Sequence, residues 1–284
     1  MSIIKVFKSE PLRLFNGIIL SIGGAIVAAV TSFHAPLVSG KEATINLDDY
    51  RLVFNEKFDR LDVSSKGPGT RWIAHTPWNG DFGDAKFADP EDGFPFTTTD
   101  GILRIEARKD ISGNWRSGLL ASMDANGRGF GLQYGYFEMR AKIPGGPGVW
   151  PAFWLDSLIP KNSNDPSIEI DVMEHYGKFP NAYESLLIVW PKDRTIKNHT
   201  ERYVHEEKAR PFHESFHTYG ASVDKEWIVY YFDRKETWRV KTPAQHKHKL
   251  MILVNLALGS GWPIDQTPNP SYMYVDYIRA YTKN

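Results

Sequence analysis

The sequence predicts an all-β fold, an antiparallel sandwich or barrel built from many short strands. Residues 101–108 and 137–143 alternate apolar and charged side chains, as a strand does when one face packs in a core and the other meets solvent. Glycine and proline separate such runs, for example at 144–148 and 259–261. The sequence shows no comparable pattern for a long amphipathic helix.

Further strands are predicted along the chain. Residues 185–190 and 250–258 are nearly continuous apolar runs, which are typical of central strands. The run 227–232, the pair Asp233-Arg234 and a second run ending at Val240 predict a β-hairpin. We expect one domain over residues 48–284, preceded by a linker over residues 36–47.

The N-terminus predicts an export signal over residues 1–35. Lys5, Lys8 and Arg13 precede an uncharged stretch, 14–40, as in a basic n-region followed by an apolar h-region. Because this stretch approaches the ~20 residues that span a bilayer, an uncleaved inner-membrane anchor is the alternative. Either interpretation places the domain outside the cytoplasm, as a secreted, periplasmic or membrane-attached protein.

Composition excludes several classes of function. Lys plus Arg number 34 and Asp plus Glu number 34, so no net charge favours nucleic acid as a partner. The chain has no cysteine, which excludes disulfides, thiolate metal sites and thiol catalysis. Nine Trp and thirteen Tyr indicate a β-rich core, or a groove lined with flat faces for sugar rings. We expect a monomer.

The most informative segment is 167–175, in which three carboxylates lie among apolar residues. In a strand, Glu169 and Asp171 share one face. Glu174 lies five positions after Glu169, so a regular strand would direct it into the core, where an unpaired carboxylate is costly. One extra residue in a β-bulge, near Val172 or Met173, would return Glu174 to the face of the other two acids.

This arrangement suits a pair of catalytic carboxylates. With the bulge, the two Glu α-carbons lie roughly 13 Å apart, and their side chains can lean toward each other. Retaining glycosidases need carboxyls ~5–5.5 Å apart and inverting ones ~6.5–9.5 Å. The sequence permits the shorter distance. Asp171 repels a second negative charge and so favours the protonated form of a neighbouring Glu. The alternative is the polar face of an ordinary sandwich strand.

The segment 169–174 resembles the Glu-x-Asp-x-x-Glu signature of glycoside hydrolase family 16. This family includes laminarinases, lichenase-type β-glucanases, agarases, carrageenases and enzymes that trim bacterial exopolysaccharides. The resemblance extends from about Phe54 onward. Further family landmarks follow in the same order, at 134–144, 150–155, 216–220, 255–259 and 273–279.

The resemblance implies a concanavalin-like β-jelly-roll sandwich of two antiparallel sheets with a concave substrate cleft. It implies a retaining endo-β-glycosidase that hydrolyses internal β-linkages of a polysaccharide, either a β-1,3/1,4-glucan or a bacterial exopolysaccharide, without a catalytic cofactor. Carried over, Glu169 is the nucleophile and Glu174 the general acid and then base, while Asp171 supports Glu169. Capture of the same intermediate by a sugar would make the enzyme a transglycosylase.

Four further residues are candidates for substrate binding by the same resemblance. Trp150 and Trp154 would flank the cleavage point, with Trp154 the more core-like, and Trp262 would line a donor-side subsite. His175 would hydrogen-bond a sugar or Glu174, or be structural.

The resemblance also suggests a structural calcium ion held by Glu56, Gly101 and Asp276, since hard oxygen ligands suit that ion. The segment 83–86 stands where laminarin-cleaving relatives carry Gly-Asn-x-Glu, which argues against a pure β-1,3-glucan specificity. The segment 191–210 is rich in Lys and Arg and is either a solvated loop or a contact for an acidic polysaccharide.

Two other classes of function remain open. The sequence His213-Glu214-Ser215-Phe216-His217 matches the zinc-peptidase pattern His-Glu-x-x-His. However, Pro211 precedes it and 218–220 follows, so any helix is short, and in a strand the two His would lie ~13 Å apart. A non-catalytic carbohydrate-binding sandwich is the second alternative, because lectins share this architecture.

Overall fold

The computed structural model describes residues 43–78, 80–191, 198–205 and 211–284, and regular structure there is β-strand apart from one 3-10 turn, Leu47–Asp49. The strands are β1 Tyr50–Glu56, β2 Val63–Ser64, β3 Trp72–Ile73, β4 Lys86–Phe87, β5 Phe96–Thr99, β6 Ile102–Lys109, β7 Trp115–Ser117, β8 Leu119–Ala121, β9 Gly135–Lys142, β10 Val149–Ser157, β11 Ser167–Glu174, β12 Ala182–Trp190, β13 Asn198–His205, β14 His217–Val223, β15 Trp227–Phe232, β16 Lys235–Lys241, β17 Leu250–Leu258 and β18 Ser271–Lys283.

These strands form two sheets. A ten-stranded sheet has the order β16-β15-β14-β9-β18-β6-β7-β4, with β1 on β18 and β5 on β6. An eight-stranded sheet has the order β13-β12-β11-β10-β17-β8-β3-β2. Strand pairing is antiparallel as predicted, except that β2–β3 and β4–β7 pair in parallel. These pairs are two residues long and lie at the ends of the sheets, where long loops rather than tight hairpins set the strand direction.

The main core fills the space between the two sheets. Along β10, Val149, Phe153 and Leu155 are fully buried in this core. Trp150 and Trp154 alternate with them and pack in a second cluster, on the side of the eight-stranded sheet that points away from the ten-stranded sheet. We call that side the outer face. Burial of each large apolar side chain stabilises the fold by about 1.5–3 kcal/mol.

The predicted hairpin is confirmed as β15–β16. Its two-residue turn consists of Asp233 at φ 47° and Arg234 at φ 63°. Positive φ at both central positions is what a type I′ turn requires, and its twist matches that of the flanking strands. Residues 43–45, at the end of the predicted linker, lie along this hairpin, where Ile45 N–H donates to the Arg234 carbonyl at 3.0 Å.

Arg234 also completes a buried charge network below the hairpin. The Glu138 carboxylate has no solvent exposure and accepts two hydrogen bonds from the Arg234 guanidinium, each 2.9 Å long. The hydroxyls of Tyr136 and Tyr277 donate to the same carboxylate at 2.7 and 2.9 Å. The bond to Glu138 raises the pKa of Arg234 above its ordinary value. Four donors therefore compensate a charge that has been removed from water.

Replacing Arg234 by Met is expected to lower the free energy of unfolding by about 3–5 kcal/mol, because it leaves the Glu138 carboxylate buried without its cation. Chemical denaturation measures this change. Arg239→Met is the matched control, since Arg239 is 48% exposed and its partner Glu236 is 18% exposed, against 0% for Glu138, so this pair should contribute about 1 kcal/mol or less. Equal losses in the two variants would contradict the role given to the buried pair.

The predicted export signal or anchor, and most of the predicted linker, lie outside the described residues. Across the parts of the chain that the structure describes, no helix has the length and apolar character needed to cross a membrane.

Candidate active site

The predicted β-bulge in the acidic strand is confirmed. In the pairing of β10 with β11, Phe153 lies opposite Met173 and Trp154 lies opposite Asp171. Val172 is therefore the extra residue of the bulge, and the pairing of β11 with β12 shifts over the same interval.

The bulge places three carboxylates on the outer face. Ile168, Ile170 and Val172 are buried in the core between the sheets, while Glu174 lies opposite Ala152, a member of the outer cluster. Asp171 lies opposite Trp154 in that cluster, and Glu169 is two residues away on the same face. A regular strand would have buried Glu174 beside Ile170.

Glu174 is 9% exposed and is held by two donors. Nε1 of Trp150 donates to Oε1 at 2.7 Å, and the hydroxyl of Tyr176 donates to the same oxygen at 2.6 Å. The two rings lie nearly parallel, at 15° with centroids 6.4 Å apart. Burial, and then the charge of Glu174, raise the pKa of Tyr176 well above its ordinary value, so the phenol is a neutral donor.

Glu169 lies toward the other end of β11 and is half-buried. Its Oε2 accepts a hydrogen bond from Nε1 of Trp190 at 2.7 Å. Asp156 is 3% exposed and lies directly opposite Glu169 on β10. Asp156, Asp171 and Glu169 thus concentrate negative charge on one part of the outer face, as suits a site where positive charge develops.

The floor of the outer face is aromatic. Trp154 is 6% exposed, and its Nε1 donates to Oδ1 of Asn255 at 2.8 Å. Trp78 and Phe82 pack on it with ring centroids 6.1 and 5.9 Å away. Trp154 is therefore a buried support beneath the acids, whereas Trp150 remains partly exposed.

A second aromatic group lies beyond Tyr176. The ring of Trp262 is 6.3 Å from that of Tyr176 and 5.6 Å from that of Phe179. The Lys178 ammonium lies over the Trp262 ring at 4.3 Å. Trp262 is partly exposed and so offers an edge or face to a ligand beside the acids.

Comparison with known proteins identifies the chain. The sequence model described as "Glycosyl hydrolases family 16" matches residues 95–279, a range that holds all three acids. The chain belongs to glycosyl hydrolase family 16. The laminarinase catalytic domain from Thermotoga maritima MSB8 superposes with a TM-score of 0.67 at 24% identity, covering 83% of this chain and 99% of that one. SCLam, a non-specific endo-β-1,3(4)-glucanase, gives a TM-score of 0.68 at 23% identity. These likenesses confirm the predicted β-jelly-roll sandwich.

Two relatives come from Rhizobium meliloti (strain 1021). Endo-1,3-1,4-beta-glycanase ExsH is 31% identical over 93% of this chain and 58% of its own length. Endo-1,3-1,4-beta-glycanase EglC is 33% identical over 66% of this chain and 40% of its own length. The chain thus spans about half the length of these two relatives.

The substrate-binding role predicted for His175 is not supported by the structure. The residue lies between Glu174 and Tyr176, so strand alternation turns it to the opposite face, where it is 1% exposed. Its Nδ1 is 2.8 Å from the Ala182 carbonyl, and its ring packs on Phe212. Burial lowers the pKa of His175 from 6.5 to about 4, against a smaller opposing effect of that hydrogen bond.

His175 is expected to weaken the fold in acid. Because its pKa is lower in the folded state, the unfolded chain binds the proton more tightly, and stability falls as pH drops from 6.5 toward about 4. The loss approaches about 3 kcal/mol. Unfolding free energies between pH 7 and 4 should depend less on pH in His175→Gln than in the wild type. His199→Gln, at an exposed position, is the control. Equal pH dependence in wild type and His175→Gln would contradict this.

The predicted calcium ligands do not fit a calcium ion. Both carboxylate oxygens of Glu56 are engaged, one by the Phe58 N–H at 3.0 Å and the other by Nε1 of Trp72 at 3.0 Å and the Arg71 guanidinium at 2.7 Å. Asp276 forms a close ion pair with Arg140. Arginines already supply the positive charge at the two carboxylates, so we assign no metal to Glu56, Gly101 and Asp276.

The His-Glu-x-x-His match is not a zinc site. His217 begins β14, and its two nitrogens are 2.9 Å from Ser215 Oγ and from Oδ2 of Asp233. His213 is exposed. Among the described residues, no group of three or more His, Asp or Glu is placed to hold a metal ion.

Two other predicted features have different outcomes. Gly83, at φ +73°, packs against β17, where a Cβ would lie 2.6 Å from the Leu258 carbonyl oxygen and 3.4 Å from the Trp150 ring. This close approach brings the segment 83–86 to the outer face. In the basic segment 191–210, most of the Lys and Arg residues lie outside the described residues, and Arg202 lies opposite Ser185 on β12.

Three residues at the site were not predicted from the sequence: Tyr176, Trp190 and Asp156. Tyr176 had a signal in the sequence, because it lies two positions after Glu174 and so shares its face. Trp190 and Asp156 lie beside Glu169 because of the way the strands pair, and the sequence alone does not give that pairing.

Proposed function

We propose that this chain is a retaining endo-β-glycosidase that hydrolyses internal β-linkages of a polysaccharide. The observation that carries the proposal is the bulge at Val172, which puts Glu169, Asp171 and Glu174 on the outer face of the eight-stranded sheet. Without the bulge Glu174 would point into the core, and three acids on one face give an ordinary strand no stability. Family membership supports the same chemistry.

In the first step, Glu174 gives its proton to the glycosidic oxygen while Glu169 attacks the anomeric carbon. The carbon–oxygen bond to the leaving sugar breaks, and its electron pair stays on that oxygen. The product is an ester between Glu169 and the sugar. Asp171 and Asp156 favour the positive charge that develops on the sugar ring in the transition state.

In the second step, Glu174 accepts a proton from water, whose oxygen attacks the anomeric carbon and releases Glu169. Trp190 stabilises the departing carboxylate, since its N–H already donates to Oε2 of Glu169. Trp150 and Trp262 contribute flat apolar surface for sugar rings beside the acids.

The substrate we propose is a β-1,3/1,4-glucan or a bacterial exopolysaccharide. The support comes from the two Rhizobium relatives, which are endo-1,3-1,4-β-glycanases by name. We also propose that the domain acts outside the cytoplasm as a monomer, secreted, periplasmic or held by its N-terminal segment, because polymers of this size do not enter cells intact.

The proposal is tested by a polysaccharide panel with the full chain and its Glu169→Gln variant. The panel holds β-1,3-glucan, mixed-linkage β-glucan, agar, carrageenan and an acidic bacterial exopolysaccharide, and products are sized by chromatography. Oligosaccharides from one polymer, absent with the variant, are the expected result. Products longer than the substrate would indicate a transglycosylase. Binding of a polymer without cleavage would indicate a lectin-like protein.

A further inference from the structure

The two donors at Glu174 converge on a single oxygen. The indole N–H of Trp150 and the hydroxyl of Tyr176 both reach Oε1, at 2.7 and 2.6 Å. An indole N–H can only donate. Oε1 therefore accepts a hydrogen bond from Trp150 whether the Glu174 carboxyl is ionised or protonated. A proton on Oε1 would point at the Trp150 N–H.

From this geometry we propose that Tyr176 is a positioning residue that, with Trp150, holds Oε1 of Glu174 as an acceptor and so assigns the transferable proton to Oε2. The inference rests on the function proposed above for Glu174. As a consequence, Glu174 presents its protonated Oε2 to the glycosidic bond, and rotation of the carboxyl does not exchange the two oxygens. Pre-organisation of this kind is a large part of catalysis by positioned acids.

The fold fixes Tyr176 tightly enough for this role. The residue is 4% exposed, and its ring lies between those of Trp150 and Trp262. Strand pairing continues past β11 on both sides of it, because His175 N–H donates to the Pro151 carbonyl at 3.0 Å and Gly177 N–H to the Val149 carbonyl at 3.1 Å.

Gly177 is part of the same arrangement. A Cβ at this position would lie 2.1 Å from the Gly146 carbonyl oxygen and 2.2 Å from the Val149 side chain. The close approach of the segment 146–149 is therefore possible only with glycine next to Tyr176. Ser260 Oγ, another polar neighbour, lies 3.5 Å from the Tyr176 hydroxyl.

Charged groups also lie on the elements around Glu174. Asp171 precedes it on β11, and Glu184 lies directly opposite on β12. Asp84 lies beside Gly259 at the end of β17, and Lys178 lies over Trp262. Tyr176 differs from all of these because it is a neutral donor aimed at one oxygen of the carboxylate. Its loss removes a bond that favours the ionised form and leaves these charges in place.

The test is Tyr176→Phe, which keeps the ring and removes the hydroxyl. We expect the basic limb of the kcat/KM profile to move to higher pH by about one unit, because a donor to the ionised carboxylate is lost. A second readout needs no activity. In protein labelled with ¹³C at the Glu side-chain carboxyl, the resonance that Glu174→Gln removes should titrate about one unit higher in Tyr176→Phe.

Tyr272→Phe is the matched control, because Tyr272 lies on β18 in the other sheet. It should change neither the profile nor the titration. A lower melting temperature of Tyr176→Phe with an unmoved Glu174 titration would overturn the inference and leave Tyr176 as a packing residue. If the wild type cleaves no polymer but the titration moves as expected, the proposed function fails while the donor role of Tyr176 stands.

Discussion

Replacing Glu169 by glutamine is expected to lower kcat by at least about 10⁴-fold, the order seen when a covalent nucleophile is removed. The amide is nearly isosteric and cannot attack the anomeric carbon. Its oxygen can still accept the Trp190 N–H, which in the wild type donates to Oε2 at 2.7 Å, so the fold should be retained. Steady-state rates on the polymer identified by the panel measure the loss, and thermal unfolding checks the fold.

Glu201→Gln is the matched control for this variant. Glu201 lies on β13, in the same sheet as Glu169, and its side chain is 62% exposed. Its replacement should change kcat by less than about twofold, as expected for a surface position away from the reacting atoms. Activity of Glu169→Gln within tenfold of the wild type would mean that another residue is the nucleophile.

Replacing Glu174 by glutamine is expected to affect substrates unequally. On the natural polymer, kcat should fall by about 10²–10⁴-fold, because the leaving sugar oxygen is no longer protonated. On an aryl β-glycoside with a good leaving group, the first step needs no acid and should proceed at nearly the wild-type rate. The second step then limits turnover, because no base activates water.

Azide provides the positive test of the Glu174 assignment. This anion needs no general base, so it should accelerate turnover of the aryl glycoside by Glu174→Gln and yield a glycosyl azide. The wild-type enzyme, in which Glu174 is an anion during the second step, should gain little. An equal loss on polymer and aryl glycoside, without azide rescue, would contradict the acid/base role of Glu174.

Much of the acidic site was predictable because strand alternation is a strict rule. The odd spacing of Glu169 and Glu174 required either a buried carboxylate or a bulge, and the structure has the bulge at Val172. The same rule, applied after the bulge, places Tyr176 outward and His175 inward. The substrate-binding role given to His175 came from adjacency to Glu174 along the chain and did not apply the alternation.

Other features depend on contacts between residues far apart in the sequence. Glu56 is neutralised by Arg71 and held by Trp72, and Asp276 is paired with Arg140 across two strands of the ten-stranded sheet. No local sequence pattern indicates these pairs, so the sequence alone left Glu56 and Asp276 as candidate calcium ligands. The hairpin turn at Asp233 was predictable because two residues between apolar runs set a type I′ turn.

The aromatic residues show the same limit. Trp150 and Trp154 share a strand and a face, yet one donates to Glu174 and the other to Asn255 beneath the surface. Trp78, from a segment before β4, packs on Trp154, whereas Phe82 packs against both tryptophan rings. Composition predicted an aromatic groove or core, and aromatic rings lie both in the main core and on the outer face.

The central claim is that Glu169 and Glu174 form a retaining pair, and the configuration of the first product tests it most directly. ¹H NMR of the polymer during the first minutes of cleavage, at high enzyme concentration, resolves the anomeric proton of the new reducing end before mutarotation. Two displacements at the same carbon restore its configuration. The account predicts that the β anomer appears first and the α anomer follows only by mutarotation. Initial release of the α anomer would show a single displacement by water and would contradict the covalent role of Glu169.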